Sequence, residues 1–432
     1  MDKQPADPNA DQASPRRSIR AGELQRVVLS GSAFFLILCS YYILRPVRDD
    51  MAVRYGADKL HWLFTGTLLL TLITVPAFGW VVRHLPRTVI LSSVYGFFIA
   101  NLIAFYVAFS ADAVTQSAAG AFFVWLSVFN LFAISLFWST VSDSFTKEES
   151  HRLYAYIAAG GTAGALAGPA VTALLAQHVQ TAALIALSAL LLAGAAICMV
   201  ILRMSKHGKR RGQDQGQARP IGGALFAGVP LTLKMPDLRG VALLIICYTT
   251  VSTVLYIQLV DLVGASYTES GARKAFFARV DLTVNALALA TQIVGTRYIV
   301  ERYGLRLALS AVPVLMLLCL AGLSIWATAL TFAAVQVLHR AAEYAVSRPG
   351  REMVYTTVDA ESRYKAKSFI DTAVYRTNDA AVAWLIAAVR GMGLNAVVFV
   401  GIPAAIAWFF TAIKLGGRHD RVDDRSYGNE PA

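Results

Sequence analysis

Residues 181–203 read TAALIALSALLLAGAAICMVILR, and residues 204–219, directly after them, read MSKHGKRRGQDQGQAR. The first stretch carries no charge until Arg203. As a helix rising about 1.5 Å per residue it is long enough to cross a hydrocarbon core of about 30 Å. The second stretch is basic, rich in Gly and Gln and without an apolar period, so it has no face to bury and reads as a water-exposed linker. Working outward, similar apolar stretches recur on both sides: 27–47, 60–82, 88–110, 119–141 and 153–176 before, then 238–260, 276–299, 305–323, 325–346, 368–389 and 394–415 after. Lipid offers no water to satisfy a backbone N–H or C=O, so spans are helices or closed barrels. Barrel strands would be short and alternating, which these are not. The fold class read here is all-α, a polytopic membrane protein of about twelve transmembrane helices.

Composition agrees. Of 432 residues, 56% are hydrophobic and only 15% charged, with a mean hydropathy of +0.54. A soluble chain needs about a quarter of its residues charged to cover its surface. The net charge of +12 would suggest nucleic acid in a soluble protein, but here the charges fall in alternate connections, so the expected partner is the lipid bilayer and not a nucleic acid. Lys3, Arg16, Arg17, Arg20 and Arg26 precede the first span, and Arg83 and Arg87 follow the second. Lys147 and Arg152 follow the fourth, the linker follows the sixth, and the alternation continues through Arg302, Arg306, the 348–367 segment and Lys414–Arg425. Positive loops stay inside, which puts both termini in the cytoplasm of a bacterial-type inner membrane. Residues 1–20 are polar, and no cleavable leader is read in them. Cys39, Cys198, Cys247 and Cys319 all fall inside spans, with no metal spacing and no disulfide framework. No cofactor or metal site is read, and nothing in the sequence sets an oligomeric state; a monomer suffices.

The expected organisation is a disordered cytoplasmic N-terminus (1–23), a six-helix bundle (24–203), the basic linker (204–237), a second six-helix bundle (238–415) and a tail (416–432). Glu149-Ser150-His151-Arg152 before the fifth span is echoed by Glu361-Ser362-Arg363-Tyr364 before the eleventh. Two parallel pseudo-repeats joined by a cytoplasmic linker resemble the major facilitator superfamily, and that resemblance implies a site between the halves near the midplane.

Ionisable residues in spans are the candidates for chemistry, because each must face a partner or a watery cavity. Arg45 and Arg48 at the end of span one lie one turn apart, and either clamp an anion or snorkel and pair with Asp49 or Asp50. Asp281, Asn285 and Gln292 form a stripe on span eight: a cavity wall or a hydrogen-bond seam. In span ten Gln336, Arg340, Glu343 and Ser347 share a face, with Arg340 and Glu343 expected to neutralise one another or to gate. Span eleven offers Asp371, Tyr375 and Asp379 on one face, with Arg376 beside them. Asp371 caps or pairs with Lys367, whereas Asp379 is deeper and better placed for a proton or a substrate. Gly160, Gly164 and Gly168 make one bare face on span five; a continuous helix uses its own N–H groups, so packing is favoured over a phosphate cradle. No nucleophile–base set appears, so an enzyme is not expected.

Three segments carry a family resemblance. Tyr42-Ile43-Leu44-Arg45-Pro46-Val47-Arg48-Asp49, Leu136-Phe137-Trp138, and Glu343-Tyr344 through Arg348-Pro349-Gly350-Arg351-Glu352-Met353-Val354-Tyr355 to Tyr364-Lys365-Ala366-Lys367 and Ile370-Asp371 are similar to the nucleotide transporter family of plastid and rickettsial ATP/ADP translocases. The resemblance implies a major-facilitator-like fold and exchange of nucleotides, ATP and ADP among them. It places Arg48 where those exchangers carry a functional Lys, and Leu126, Thr253 and Asp379 where they carry Glu, Glu and Lys. The expected function is therefore alternating-access transport of a nucleotide or related phosphate-bearing solute. Arg45, Arg48, Asp281, Asn285, Arg340, Glu343, Tyr375, Arg376 and Asp379 would contact it. A gate is expected in the 348–367 segment, where Arg348, Arg351 and Lys365 pair with Glu352, Asp359 and Glu361, flanked by Lys367 and Asp371. The alternatives are a proton-coupled exporter using Asp379 or Glu343, and a non-transporting scaffold or sensor.

Overall fold

The computed structural model describes residues 21–84, 87–110, 114–204, 228–294, 296–356, 358–392 and 395–427. The N-terminus through residue 20 and residues 205–227 of the expected linker lie outside the described residues, as do residues 428–432 of the tail.

The first half of the chain forms α1 (Ala21–Tyr55), α2 (Leu60–His84), α3 (Arg87–Ser110), α4 (Gln116–Ser142), α5 (Lys147–Leu175) and α6 (Thr181–Met204). After the short α7 (Val229–Lys234) come α8 (Pro236–Ser266), α9 (Ser270–Val294) and α10 (Thr296–Ile325), which is broken at Gly304 by a φ of 74°. The next rod runs through α11 (Ala329–Ala342), a π-helical turn at Glu343–Ser347 and α12 (Arg348–Tyr355). Its successor runs through α13 (Ala360–Ser368), a second π turn at Phe369–Val374 and α14 (Tyr375–Gly391), and a third π turn at Val397–Gly401 opens α15 (Ile402–Tyr427). Local chemistry fixes several ends. Thr146 and Glu149 cap α5 reciprocally, each side chain accepting from the other's backbone N–H.

Two apolar cores result. One is built from the first half around Ile43, Leu44, Phe122, Phe129 and Phe137, with α1 at its centre against α4, α5 and α6. The other is built mostly from the second half around Val251, Leu255, Met316, Leu320 and Trp408, with α8 against α11, α14 and α15 and α10 against α15, and Ala52, Leu60, Leu63 and Phe123 of the first half join it. The face of α5 carrying Gly160, Gly164 and Gly168 lies on the α1 backbone. A Cβ at Gly160 would overlap the Gly31 carbonyl, and one at Gly164 the Phe35 carbonyl. The halves meet through α5 on α9, α2 on α14, and α1 on α8 and α9.

Nine helical segments among the described residues are long and apolar enough to cross a membrane: α1 to α6, α8, Gly304–Ile325 and Val397–Arg418. The rods not among the nine are α9, Ala329–Tyr355 and Ala360–Gly391. Each carries ionisable groups that face protein instead of lipid, which lowers mean hydropathy without forbidding a span. Two expected boundaries need correction. The helix expected over 276–299 runs over Ser270–Val294, because Arg273 and Lys274 are buried among protein partners and do not end it. The 348–367 segment is helical over most of its length, α12 continuing one rod and α13 opening the next.

Candidate functional site

Between the two halves lies a cavity of about 150 Å³, walled by α1, α2 and α4 from the first half and by α8, α11 and α14 from the second. Four arginines line it: Arg45 and Arg48 from α1, Arg340 from α11 and Arg376 from α14. One carboxylate lines it, Asp379, which accepts from Thr253 Oγ1 at 2.9 Å and lies 3.6 Å from Arg376. Tyr248, Tyr256, Tyr344 and Tyr375 add aromatic faces with hydroxyl edges.

Each arginine is held by a neighbour. Arg340 Nη1 donates to Asp281 Oδ1 at 2.6 Å, and Arg45 Nε lies 3.5 Å from Asp281 Oδ2. Asp281 thus sits between two guanidinium groups from opposite halves. Arg48 Nη2 donates to Asp49 at 2.6 Å, and Tyr256 donates to the same carboxylate at 2.9 Å. The Arg48 guanidinium also lies over the rings of Phe123 and Tyr256, at 5.1 and 5.8 Å from their centroids. Such stacking desolvates a cation while preserving its charge. Counting Asp49, Asp281 and Asp379 against the four arginines leaves one positive charge in excess at the cavity. The pairing is also incomplete. Arg45 Nε, Asp281 Oδ2 and Arg340 Nη2 are buried and make no hydrogen bond among the described residues. The two arginine nitrogens are donors, and buried donors without a hydrogen bond are costly, so they favour an acceptor that completes them.

The remaining sequence candidates fall elsewhere. Asn285 leaves the cavity and donates to the Ala165 carbonyl of α5 at 2.7 Å, so it serves the seam between halves. Glu343 does not neutralise Arg340, as sequence spacing suggested, but pairs with Arg351 at 2.7 Å. The physical reason is local. Asp281 on a separate helix offers Arg340 a direct approach, and the π turn that starts at Glu343 changes the angular spacing beyond it. Within 348–367 several contacts differ from those expected, and the Glu361 side chain lies outside the described residues. Arg351 goes to Glu343, Lys367 takes Glu352 at 2.7 Å in place of Asp371, and Asp359 caps α13 by accepting from Ser362 N at 3.0 Å. Arg348 and Asp371 are exposed and Lys365 is half-buried.

Sequence reading missed a second polar cluster. At the ends of the helices away from the termini, buried Asp50 on α1 accepts from Arg273 Nε and Ser270 Oγ on α9, both at 2.5 Å, and from Arg54 at 3.3 Å. Beside it Lys274 donates to Thr181 on α6 at 2.7 Å, and Trp384 Nε1 donates to Thr65 on α2 at 3.0 Å. Each of the last two contacts, and the Asp50–Arg273 pair, crosses from one half to the other. The available signal was the Asp49-Asp50 doublet, whose two carboxylates leave α1 about 100° apart and so serve two different places.

Comparison with known proteins agrees with this geometry. No curated protein matches the sequence. Among solved structures, the chain is similar to the nucleoside transporter NupG (14% identity, 93% of this chain and 99% of that one, TM-score 0.60). It is also similar to a bacterial homologue of the iron transporter ferroportin in an inward-facing state (15%, 92% and 99%, TM-score 0.62). A third is the peptide transporter PepTSo of the POT family (13%, 92% and 98%, TM-score 0.61). At these identities the likeness is one of fold, and it does not choose among nucleoside, metal and peptide. The sequence profile of the Major Facilitator Superfamily matches residues 31–338, most of the helical chain. An all-α rod bundle in two halves around a central polar cavity, together with that match, makes the chain a membrane transport protein belonging to the Major Facilitator Superfamily.

Proposed function

We propose that the chain carries a small organic anion bearing a phosphate group, a nucleotide being the case the sequence resemblance names, by alternating access in a bacterial inner membrane with both termini cytoplasmic. The observation that carries this reading is the pair of arginines from opposite halves, Arg45 and Arg340, with buried N–H groups unmade on residues that line the cavity. A phosphate or carboxylate oxygen supplies the missing acceptors in planar, charge-assisted geometry. The tyrosines supply stacking surface for a ring. A site excess of one positive charge matches a solute of one or two negative charges better than a nucleoside triphosphate near −4.

Alternating access needs halves that part at one end while meeting at the other. The Asp50–Arg273, Lys274–Thr181 and Trp384–Thr65 contacts hold the halves together at the ends remote from the termini. With the termini inside, that is an inward-facing arrangement. The test is uptake of labelled nucleoside mono-, di- and triphosphates by vesicles containing the purified protein. Saturable uptake of the monophosphate, lost in Arg340→Gln, is the expected result. Uptake that is indifferent to phosphate, or to Arg340, would sink the reading.

A second reading has its own observation. Asp379 is a buried carboxylate on the cavity wall whose cation, Arg376, stands at 3.6 Å, so a proton could replace that cation. Coupling to protons would show as uptake that collapses with an uncoupler and becomes insensitive to it in Asp379→Asn.

A further inference from the structure

We infer that Asp281 is a built-in counter-anion that lets this carrier reorient without solute, so that it performs net transport and is not bound to exchange. The inference rests on the anion-transport reading above and goes beyond it by assigning the mode of the cycle.

The geometry is that of an internal ligand. Asp281 is 1% exposed and projects from α9 between Arg340 and Arg45. No cation of α9 takes it: Arg273 goes to Asp50, Lys274 to Thr181, and Arg279 is exposed. The two arms are unequal. The arm to Arg340 is a 2.6 Å hydrogen bond within the second half, whereas the arm to Arg45 is a 3.5 Å contact across the halves whose two atoms, Nε and Oδ2, make no hydrogen bond among the described residues. A solute oxygen arriving in the cavity therefore competes with Asp281 first at Arg45, and the carboxylate can stay on Arg340 while Arg45 turns to the solute.

The consequence follows from electrostatics. To change sides the carrier must close around its site and shed water from it, and buried guanidinium groups without a counter-charge are expensive in that dry state. In an obligatory exchanger the solute alone brings that charge, so the carrier returns only when loaded. Here the protein brings one itself. Asp281 lowers the excess at the cavity to one positive charge, and without it the excess would be two. The same carboxylate weakens solute binding, because it must be displaced. Easy return and modest affinity are two effects of one side chain.

The experiment uses the full chain in phospholipid vesicles with labelled AMP as probe, measured in two modes: uptake into vesicles without AMP, and exchange into vesicles preloaded with it. The wild-type protein is expected to show both. In Asp281→Asn, net uptake should fall at least about tenfold, equal to about 1.4 kcal/mol on the return step. Exchange should continue with a half-saturating AMP concentration several-fold lower, and Asp281→Glu should restore net uptake. A purely structural role would depress both modes together, and that result overturns the inference. So does a wild-type protein that exchanges AMP but never takes it up without AMP inside, a measurement independent of any variant's folding. Failure of the wild-type protein to move AMP in either mode would instead remove the phosphate-solute reading underneath.

Discussion

Replacing Gly168 with Ala tests how closely α1 must approach α5, and the magnitude can be worked from positions of atoms. A Cβ built at Gly168 would lie 2.7 Å from Tyr42 Cβ and 2.8 Å from the Cys39 carbonyl oxygen, while ordinary contact begins at 3.4 Å. Helix α1 would have to retreat by about 0.7 Å, and both obstructing atoms belong to or adjoin its backbone, so no side-chain rotation relieves them. Overpacking of this kind costs about 1–3 kcal/mol. Ala is also a better helix former than Gly by up to about 1 kcal/mol, which obscures the sign in a single measurement. Gly96→Ala on α3 is the control, because nothing lies within 4 Å of a Cβ there. The propensity gain is common to both, so the difference between the variants isolates the overpacking. The assay is heat unfolding of each purified variant in the same detergent. Gly168→Ala should melt several degrees below Gly96→Ala, and it should bind anion more weakly, since Arg45 lies one turn along α1 from Tyr42. Equal melting points would refute the close-approach argument.

Further outcomes follow from the polar contacts. Arg340→Gln removes the 2.6 Å partner of Asp281 and one anion donor, so affinity for a phosphate-bearing solute should fall by roughly 10-fold or more, as expected for a hydrogen bond to a charged group; equilibrium binding measures it, and unchanged affinity would clear Arg340 of contact. Asp50→Asn removes the charge that Arg273 and Arg54 share, and should expose the remote ends of the helices, read as faster thiol labelling of a cysteine placed at Ser270; an unaltered labelling rate would mean that the cluster is not a latch. Glu343→Gln strands buried Arg351 and should destabilise by about 3–5 kcal/mol, whereas Glu343→Gln with Arg351→Met should recover much of that loss in thermal unfolding. If the double variant is as unstable as the single one, the pair is not an isolated unit.

The helices were legible in the sequence because the membrane imposes a local rule. A stretch such as 181–203 declares itself by length and apolarity alone, whatever its neighbours. The bare face of Gly160, Gly164 and Gly168 was legible for a similar reason, since three small residues at four-residue spacing fall on one stripe of any helix. Charged stripes on α9, α11 and α14 were visible as stripes.

What the sequence could not assign was the partner of each charge. Spacing within one helix suggested Arg340 with Glu343 and Lys367 with Asp371, yet the shorter contacts run to Asp281 on α9 and Glu352 on α12. An ion pair depends on distance in space, and helices far apart in sequence approach more closely than residues on one helix that point to different sides. Nor could spacing separate Asp49 from Asp50, neighbours in the chain that face a cavity cation and a remote latch. The apolar rods, and the charges that each carries, could thus be read from the residues alone, because each is a property of a single segment in lipid. That Arg45, Arg48, Arg340 and Arg376 share one cavity while Glu343 and Asn285 stand outside it emerges from packing alone, because it depends on how far each rod turns when two halves come together.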